Sequence, residues 1–284
     1  MQVAAERHMA GLRPHFASRY AKFGGKGRHR AGEVVRIAVL DDHDFGVAVQ
    51  VFRDELRDEG LALAPKYIPR YVSDRISGVG SGPPGAVVRI TVTPTMTLTA
   101  TQRALVAPPI QRTTIAAGAF YSIKRDTIFM RMSQVGVGAI AHEMCHAYAS
   151  STWDEFYVAM SLQTALVDGR GRGKEPLGDV FFDIDEGLTI MLANLVIDDA
   201  FPRTGRYSSS RGAHDAQAGY SPDRLTTAQN VVRAVDGGLG TDPGSNIALA
   251  YFGGALTFTI DEERPLASSV RLGRARSRRL GDLL

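Results

Sequence analysis

His142, Glu143, Met144, Cys145 and His146 stand in the order HExxH, and no other stretch constrains the chain so tightly. At about 100° per residue, an α-helix sets the two histidines some 40° apart in direction and one turn apart along the axis. Both imidazoles can then reach a single ion. Glu143 projects about 80° from their mean direction, near enough to touch a water on that ion without binding the ion itself. Val137, Ile140, Ala141, Met144, Cys145 and Tyr148 form an apolar arc on the other side, the expected core face. Around the histidines stand Gly138, Ala139 and Ala149, small residues that leave room for a metal and a substrate. Two histidines facing a cavity are costly to desolvate unless partnered, and a metal ion is one such partner; structural histidines satisfied by other groups are the competing reading.

Cys145 is the chain's single cysteine, so no disulfide can close within the chain and no thiolate cluster is available. Any metal must be held by nitrogen and oxygen, and Cys145, about 60° round the helix from His142, is expected to pack in the core rather than to ligate. The 284 residues, 44% hydrophobic and 22% charged, exclude a disordered or collagen-like chain. The longest apolar run, residues 190–197 interrupted only by Asn194, is too short for the roughly 20 residues that span a bilayer. The opening MQVAAERHMAGLRPHF has no unbroken apolar stretch of the kind an export signal needs. The expectation is a protein cytoplasmic as synthesised, any export being non-classical.

The formal net charge of +3 conceals an uneven distribution. Arg7, Arg13, Arg19, Lys22, Lys26, Arg28 and Arg30 face only Glu6 and Glu33 before residue 34. Arg264, Arg271, Arg274, Arg276, Arg278 and Arg279 face Asp282 at the other end, so the body between is net acidic. Basic ends can engage nucleic acid or an anionic surface, but no stacking aromatics or nucleic-acid motif accompanies them here. Nucleic acid is therefore not an expected partner, and solvated termini are the plainer reading. The expected organisation is a basic, flexible segment over 1–33, one domain over 34–263 and a basic tail over 264–284.

Within that domain, residues 34–40 read as a strand, and Asp41, Asp42, His43 and Asp44 as the capped start of a helix whose apolar spacing runs over 47–60 and ends at Gly60. A glycine-rich connector (78–85) leads into a strand over 87–94, and a short helix or turn starts at 99–103. A hairpin then joins residues 119–123 and 127–132 across a polar turn and leads into the HExxH helix. Further helices are expected over 181–198, 224–236 and 245–262, with loops over 168–174 and 202–223. No internal repeat is present.

The HExxH run, followed 40 residues after His146 by Glu186 in FFDIDEGLTIMLANLV, resembles the zincin metallopeptidases. The metzincin branch would need glycine at 149 and histidine at 152, where Ala149 and Thr152 stand, so the likeness is to the gluzincin, thermolysin-like branch. That resemblance implies an α+β fold, with a mixed sheet whose edge strand binds substrate and packs on the HExxH helix, followed by a mainly helical C-terminal part. By the same resemblance residues 128–132 form the substrate-binding edge. It implies zinc held by His142, His146 and Glu186, with Asp183 and Asp185 competing for the third place, and Gly187 letting the glutamate helix approach the HExxH helix. Glu143 would act as general base on a zinc-activated water and pass the proton to the leaving amine. Tyr251, in NIALAYFGGALTFTIDEE, resembles the family's catalytic tyrosine, with His214 and Tyr220 as other candidate oxyanion donors.

Two departures stand out. The family's ExxxD would put an aspartate at 190, where Ile190 stands, and GAFYS replaces the GAMEN of aminopeptidases, which argues against an N-terminal exopeptidase. The implied activity is a zinc endopeptidase with a restricted protein or peptide substrate, a description that also suits a delivered toxin or effector. Two other classes stay open: a zinc-binding scaffold without catalysis, and a binder of anionic surfaces or nucleic acid acting through the basic ends. Oligomeric state is not specified by the residues.

Overall fold

Apolar residues around the Lys124-Arg125-Asp126 turn fold as the expected hairpin. Strands β2 (Ala119–Ser122) and β3 (Thr127–Arg131) pair antiparallel, Phe120 opposite Phe129 and Tyr121 opposite Ile128. Asp126 turns the chain at φ 52°, a conformation that aspartate tolerates better than most residues, and its carboxylate accepts from the Tyr121 hydroxyl at 2.8 Å. Strand β1 (Arg36–Leu40) lies parallel to β3 on its other side, giving the order β1-β3-β2. This is a computed structural model, and it describes residues 1–23, 29–76, 97–106, 118–168, 177–201, 222–237 and 245–283. The expected connector at 78–85, the strand at 87–94 and all but the last two residues of the polar loop at 202–223 lie outside the described residues, as do His214 and Tyr220.

The sequence reading places residues 128–132 at the sheet edge. Instead β3 is the central strand, because β1 occupies its second side, and β2 is an edge among the described residues. One face of the sheet stacks Phe120 on Phe129 and on Phe52 of helix α2 (Asp42–Tyr67). The other presents Tyr121, Ile128 and Met130 to the main core. Asp41 caps α2 through the Asp44 N–H at 2.9 Å, as expected. The helix then passes the expected stop at Gly60 and runs to Tyr67. Gly60, Leu61 and Ala64 are buried, the latter two in a second core shared with α3 (Pro69–Ile76), Leu98 just before α4 (Ala100–Val106) and Leu162, and packing of this kind outweighs the ~1 kcal/mol that a glycine costs a helix.

The expected loose N-terminal segment is, over its first 20 residues, helix α1 (Gln2–Tyr20). Ala5, Met9, Leu12, Phe16 and Tyr20 recur at helical spacing, and all are buried in the main core. Phe16 meets Tyr148 edge-on at 5.2 Å. The Gln2 side chain bonds both Ile37 O and Val39 N at 2.9 Å, along β1, while Arg7 and Lys22 remain exposed.

Helix α5 (Val137–Tyr148) carries HExxH and is followed by α6 (Ser151–Asp168), α7 (Leu177–Ala200) and α8 (Pro222–Asp236). Helix α7 packs on α1, α5, α6 and α8. The helix expected over 245–262 ends early: α9 (Ser245–Tyr251) stops where Gly254 takes φ 65°. Gly254 N–H bonds Ala250 O at 3.1 Å and Ala255 N–H bonds Leu249 O at 3.2 Å, which closes the last turn as the chain reverses. The chain continues into a second, antiparallel sheet of β4 (Leu256–Thr259), β5 (Ser269–Leu272) and β6 (Arg278–Arg279). Val270, Leu272, Leu280 and Leu283 are buried in the main core, so this segment packs as part of the fold rather than as a tail, its arginines turned outward. The architecture is α+β and mostly helical. Among the described residues no helix is long and apolar enough to cross a membrane.

Because Phe16 is fully buried, Phe16→Ala is expected to cost about 3–5 kcal/mol of stability in chemical denaturation. Arg7→Ala, on the exposed face of the same helix, is expected to stay within about 0.5 kcal/mol of wild type.

Candidate metal centre

Helix α5 turns its apolar arc to the core, where Val137, Ile140, Ala141, Met144, Cys145 and Tyr148 are all buried. The histidine side faces α7. Glu186 Oε2 lies 3.2 Å from His142 Nε2, Glu186 Oε1 lies 3.7 Å from His146 Nε2, and the two Nε2 atoms are 3.2 Å apart. Ligands placed tetrahedrally at ~2.0–2.1 Å from zinc would be about 3.3 Å from one another, so these donors already stand at the spacing of a coordination sphere. His142, His146 and Glu186 form a group that could hold a metal ion, and Cys145 takes no part in it. Burial raises the Cys145 thiol pKa well above its ordinary value, as suits a core residue.

The two competing carboxylates are otherwise engaged. Asp183 pairs with Arg224 of α8 at 3.2 Å, and buried Asp185 accepts from the Trp153 indole N–H at 2.7 Å. Arg224 also approaches Glu186 Oε2, at 3.7 Å. Gly187 acts on a different neighbour from the one expected: a Cβ there would fall 2.2 Å from Arg224 O and 2.9 Å from Ala228 Cβ, so this glycine admits α8 rather than α5.

Charge in the site is lopsided. Burial opposes a proton on His146, yet the Glu186 hydrogen bond and the charges of Asp185, Glu186 and Glu143 together raise its pKa to about 10. Burial would raise Glu186, but the two imidazoles beside it hold it well below the usual carboxylate range. Glu143 is pushed up by burial, against the lowering pull of His142 and His146. Three buried carboxylates thus compete for positive charge, and without a metal ion a proton on His146 supplies part of it. This is the electrostatic environment a divalent cation would satisfy.

Glu143 also accepts a hydrogen bond from the Tyr121 backbone. Arg131 N–H donates to Gly118 O at the end of the hairpin, so by ladder alternation Phe120 and Ser122 direct their backbone groups to β3. Ala119 and Tyr121 direct theirs outward, across the edge of β2 and towards the site. The cavity there is lined by Phe52 and Leu56 of α2, Phe120 and Tyr121 of β2, His142, Glu143 and His146, Trp153 and Tyr157 of α6, and Phe182, Asp185 and Glu186 of α7.

Tyr251 lies elsewhere. It is fully buried and absent from the cavity wall, its hydroxyl 3.4 Å from His146 Nδ1 and 2.9 Å from Thr189 Oγ1. A hydroxyl behind the imidazole does not face the side where a substrate carbonyl would sit. Two tyrosines line the cavity: the Tyr121 hydroxyl is engaged by Asp126, and the Tyr157 pKa is raised by burial and by the charges of Asp185 and Glu186, against the pull of a Ser161 hydrogen bond. Sequence reasoning passed over Tyr157, Thr189 and Arg224. Of these only Thr189, one helical turn after Glu186, carried a positional signal.

No protein-family model, no curated protein and no solved structure matches the chain. The zincin fold implied by the resemblance thus has no structural match beside it, and the donor triad stands on its own geometry.

A metal ion can bind His146 only after displacing its proton. With that pKa near 10, zinc uptake at pH 7 is expected to release about one proton per ion, and affinity is expected to rise with pH. Calorimetry in buffers of different ionisation enthalpy measures the release. His146→Ala is expected to abolish stoichiometric binding.

Proposed function

We propose that this chain is a zinc-dependent endopeptidase. The observation that carries the reading is that Glu143 opens into the same cavity as the three donor groups, beside the edge of β2. A donor set of two imidazoles and one carboxylate suits zinc and leaves a position open. Bound there by His142, His146 and Glu186, the ion would supply Lewis acidity, polarising a carbonyl and making water a stronger acid.

The remaining chemistry falls to side chains. Glu143 takes the proton from the attacking water and returns it to the leaving amine, and its upward shift by burial brings it closer to the range where it can both accept and give. The Tyr121 N–H holds its carboxylate in place. Tyr157, whose raised pKa keeps the phenol protonated, is the hydroxyl in the cavity suited to donate to the oxyanion, in place of Tyr251. The outward backbone groups of Ala119, at the edge of β2, would meet an extended peptide, with Phe52, Leu56 and Phe182 beside it for an apolar side chain.

Glu143→Gln is expected to lower cleavage of a peptide library by about 10²–10⁴-fold while still binding one zinc per chain. Zinc-loaded wild type that cuts nothing in the library would sink the peptidase reading and favour a metal-binding scaffold. Tyr157→Phe is expected to reduce kcat by about 10²–10³-fold with little change in KM.

A further inference from the structure

We infer that Thr189 and Tyr251 form a directed hydrogen-bond relay, anchored on the Asp185 carbonyl, that fixes His146 with its proton on Nδ1 and its Nε2 turned to the metal. The inference rests on reading His142, His146 and Glu186 as a metal site. It fills the place left by the missing aspartate at 190, and it gives Tyr251 a positioning role rather than a catalytic one.

The direction of the relay follows from counting protons. The Asp185 carbonyl can only accept, and Thr189 Oγ1 donates to it at 2.8 Å. A threonine hydroxyl carries one proton, so towards Tyr251, 2.9 Å away, Thr189 can only accept and Tyr251 must donate. With its one proton used, Tyr251 can only accept from His146 Nδ1 at 3.4 Å. Nδ1 must therefore carry hydrogen, and the lone pair of the neutral ring is left on Nε2, the atom facing Glu186 and His142. Thr189 and Tyr251 are fully buried, so water does not offer the tyrosine another partner. His142 has no equivalent among the described residues: its buried Nδ1 meets no hydrogen-bond partner there. The relay acts on one ligand of the pair, as outer partners of metal-bound histidines do.

This arrangement separates the relay from simple packing. Thr189→Val keeps the side-chain shape but removes the acceptor, so the Tyr251 hydroxyl is released to donate to Nδ1, which favours the proton on Nε2 and opposes the metal. Thr189→Val is expected to weaken zinc binding by about 10–100-fold in chelator competition. Thr189→Ser keeps the hydroxyl and is expected to bind as wild type. The double variant Thr189→Val with Tyr251→Phe, which has no tyrosine hydroxyl left to donate, is expected to bind more tightly than Thr189→Val alone. Loss of packing would give the opposite order. In metal-free protein, proton NMR is expected to show a protected His146 Nδ1–H signal in wild type and Thr189→Ser that Tyr251→Phe loses.

Thr189→Val binding zinc as tightly as wild type, or the double variant binding more weakly than Thr189→Val, overturns the relay alone. Wild type that shows the Nδ1–H signal but binds no zinc overturns the metal reading beneath it, and with it the relay's purpose.

Discussion

The placement of Glu186 against two imidazoles is the interaction on which the rest of this structure depends. Two nitrogens 3.2 Å apart, facing a carboxylate at 3.2 and 3.7 Å, form a cluster that packing alone would not favour. Bringing such groups out of water costs several kcal/mol per charge unless they are paired, and a buried pair recovers that cost only with good geometry. Helices α5 and α7 must therefore be held in register by everything around them. Gly187 lets α8 come down on α7, and Arg224 from α8 reaches back to Glu186.

That demand explains why both ends of the chain fold onto the core. Phe16 of α1 packs against Tyr148 at the end of α5, and the Tyr148 hydroxyl donates to Glu33 O at 2.6 Å, tying the approach to β1 to the same helix. Arg19 grips Asp199, near the end of α7, through two bonds of 2.7 and 2.6 Å. On the other side Ser150, just beyond α5, donates its N–H to Tyr251 O at 2.7 Å, and its hydroxyl accepts from Trp153 N–H at 3.2 Å. The chain leaving Tyr251 then builds the second sheet. Segments that look like basic appendages in the sequence thus clamp the two helices that carry the donors.

How much of this was legible depended on how local the cause is. The HExxH helix, the Asp41 cap and the β2–β3 hairpin follow from spacing within a few residues, whereas Glu186 is reached only through the family resemblance. The N-terminal helix was legible too, in the 5, 9, 12, 16, 20 recurrence, but the charges and glycines around it masked the pattern. Other features come from contacts distant in sequence. That β3 is central rather than an edge depends on a parallel strand some 90 residues earlier, and the stop of α9 depends on two glycines that an apolar window reads through. Tyr251, the expected oxyanion donor, lies behind His146 while Tyr157 lines the cavity, because the chemistry of a tyrosine is set by which side of an imidazole it reaches. Spacing along the chain does not encode that.

The three buried carboxylates show what the packing achieves chemically. Glu143, Asp185 and Glu186 lie in one cavity, yet their affinities for a proton are driven apart. Glu186 touches both imidazoles and stays ionised, as a ligand must. Asp185 is raised by burial, with the Trp153 hydrogen bond working against that rise, and its backbone carbonyl separately anchors Thr189. Glu143 has the imidazoles at one remove and a single backbone N–H, so desolvation outweighs stabilisation and its pKa climbs. Carboxylates in one site whose environments separate their titrations are suited to separate tasks, one fixed in charge and one exchanging protons. Moving Glu143 one position along the helix would turn it by about 100° and lose that separation. The spacing of HExxH therefore sets the difference in basicity between its glutamate and Glu186 as well as the positions of its ligands.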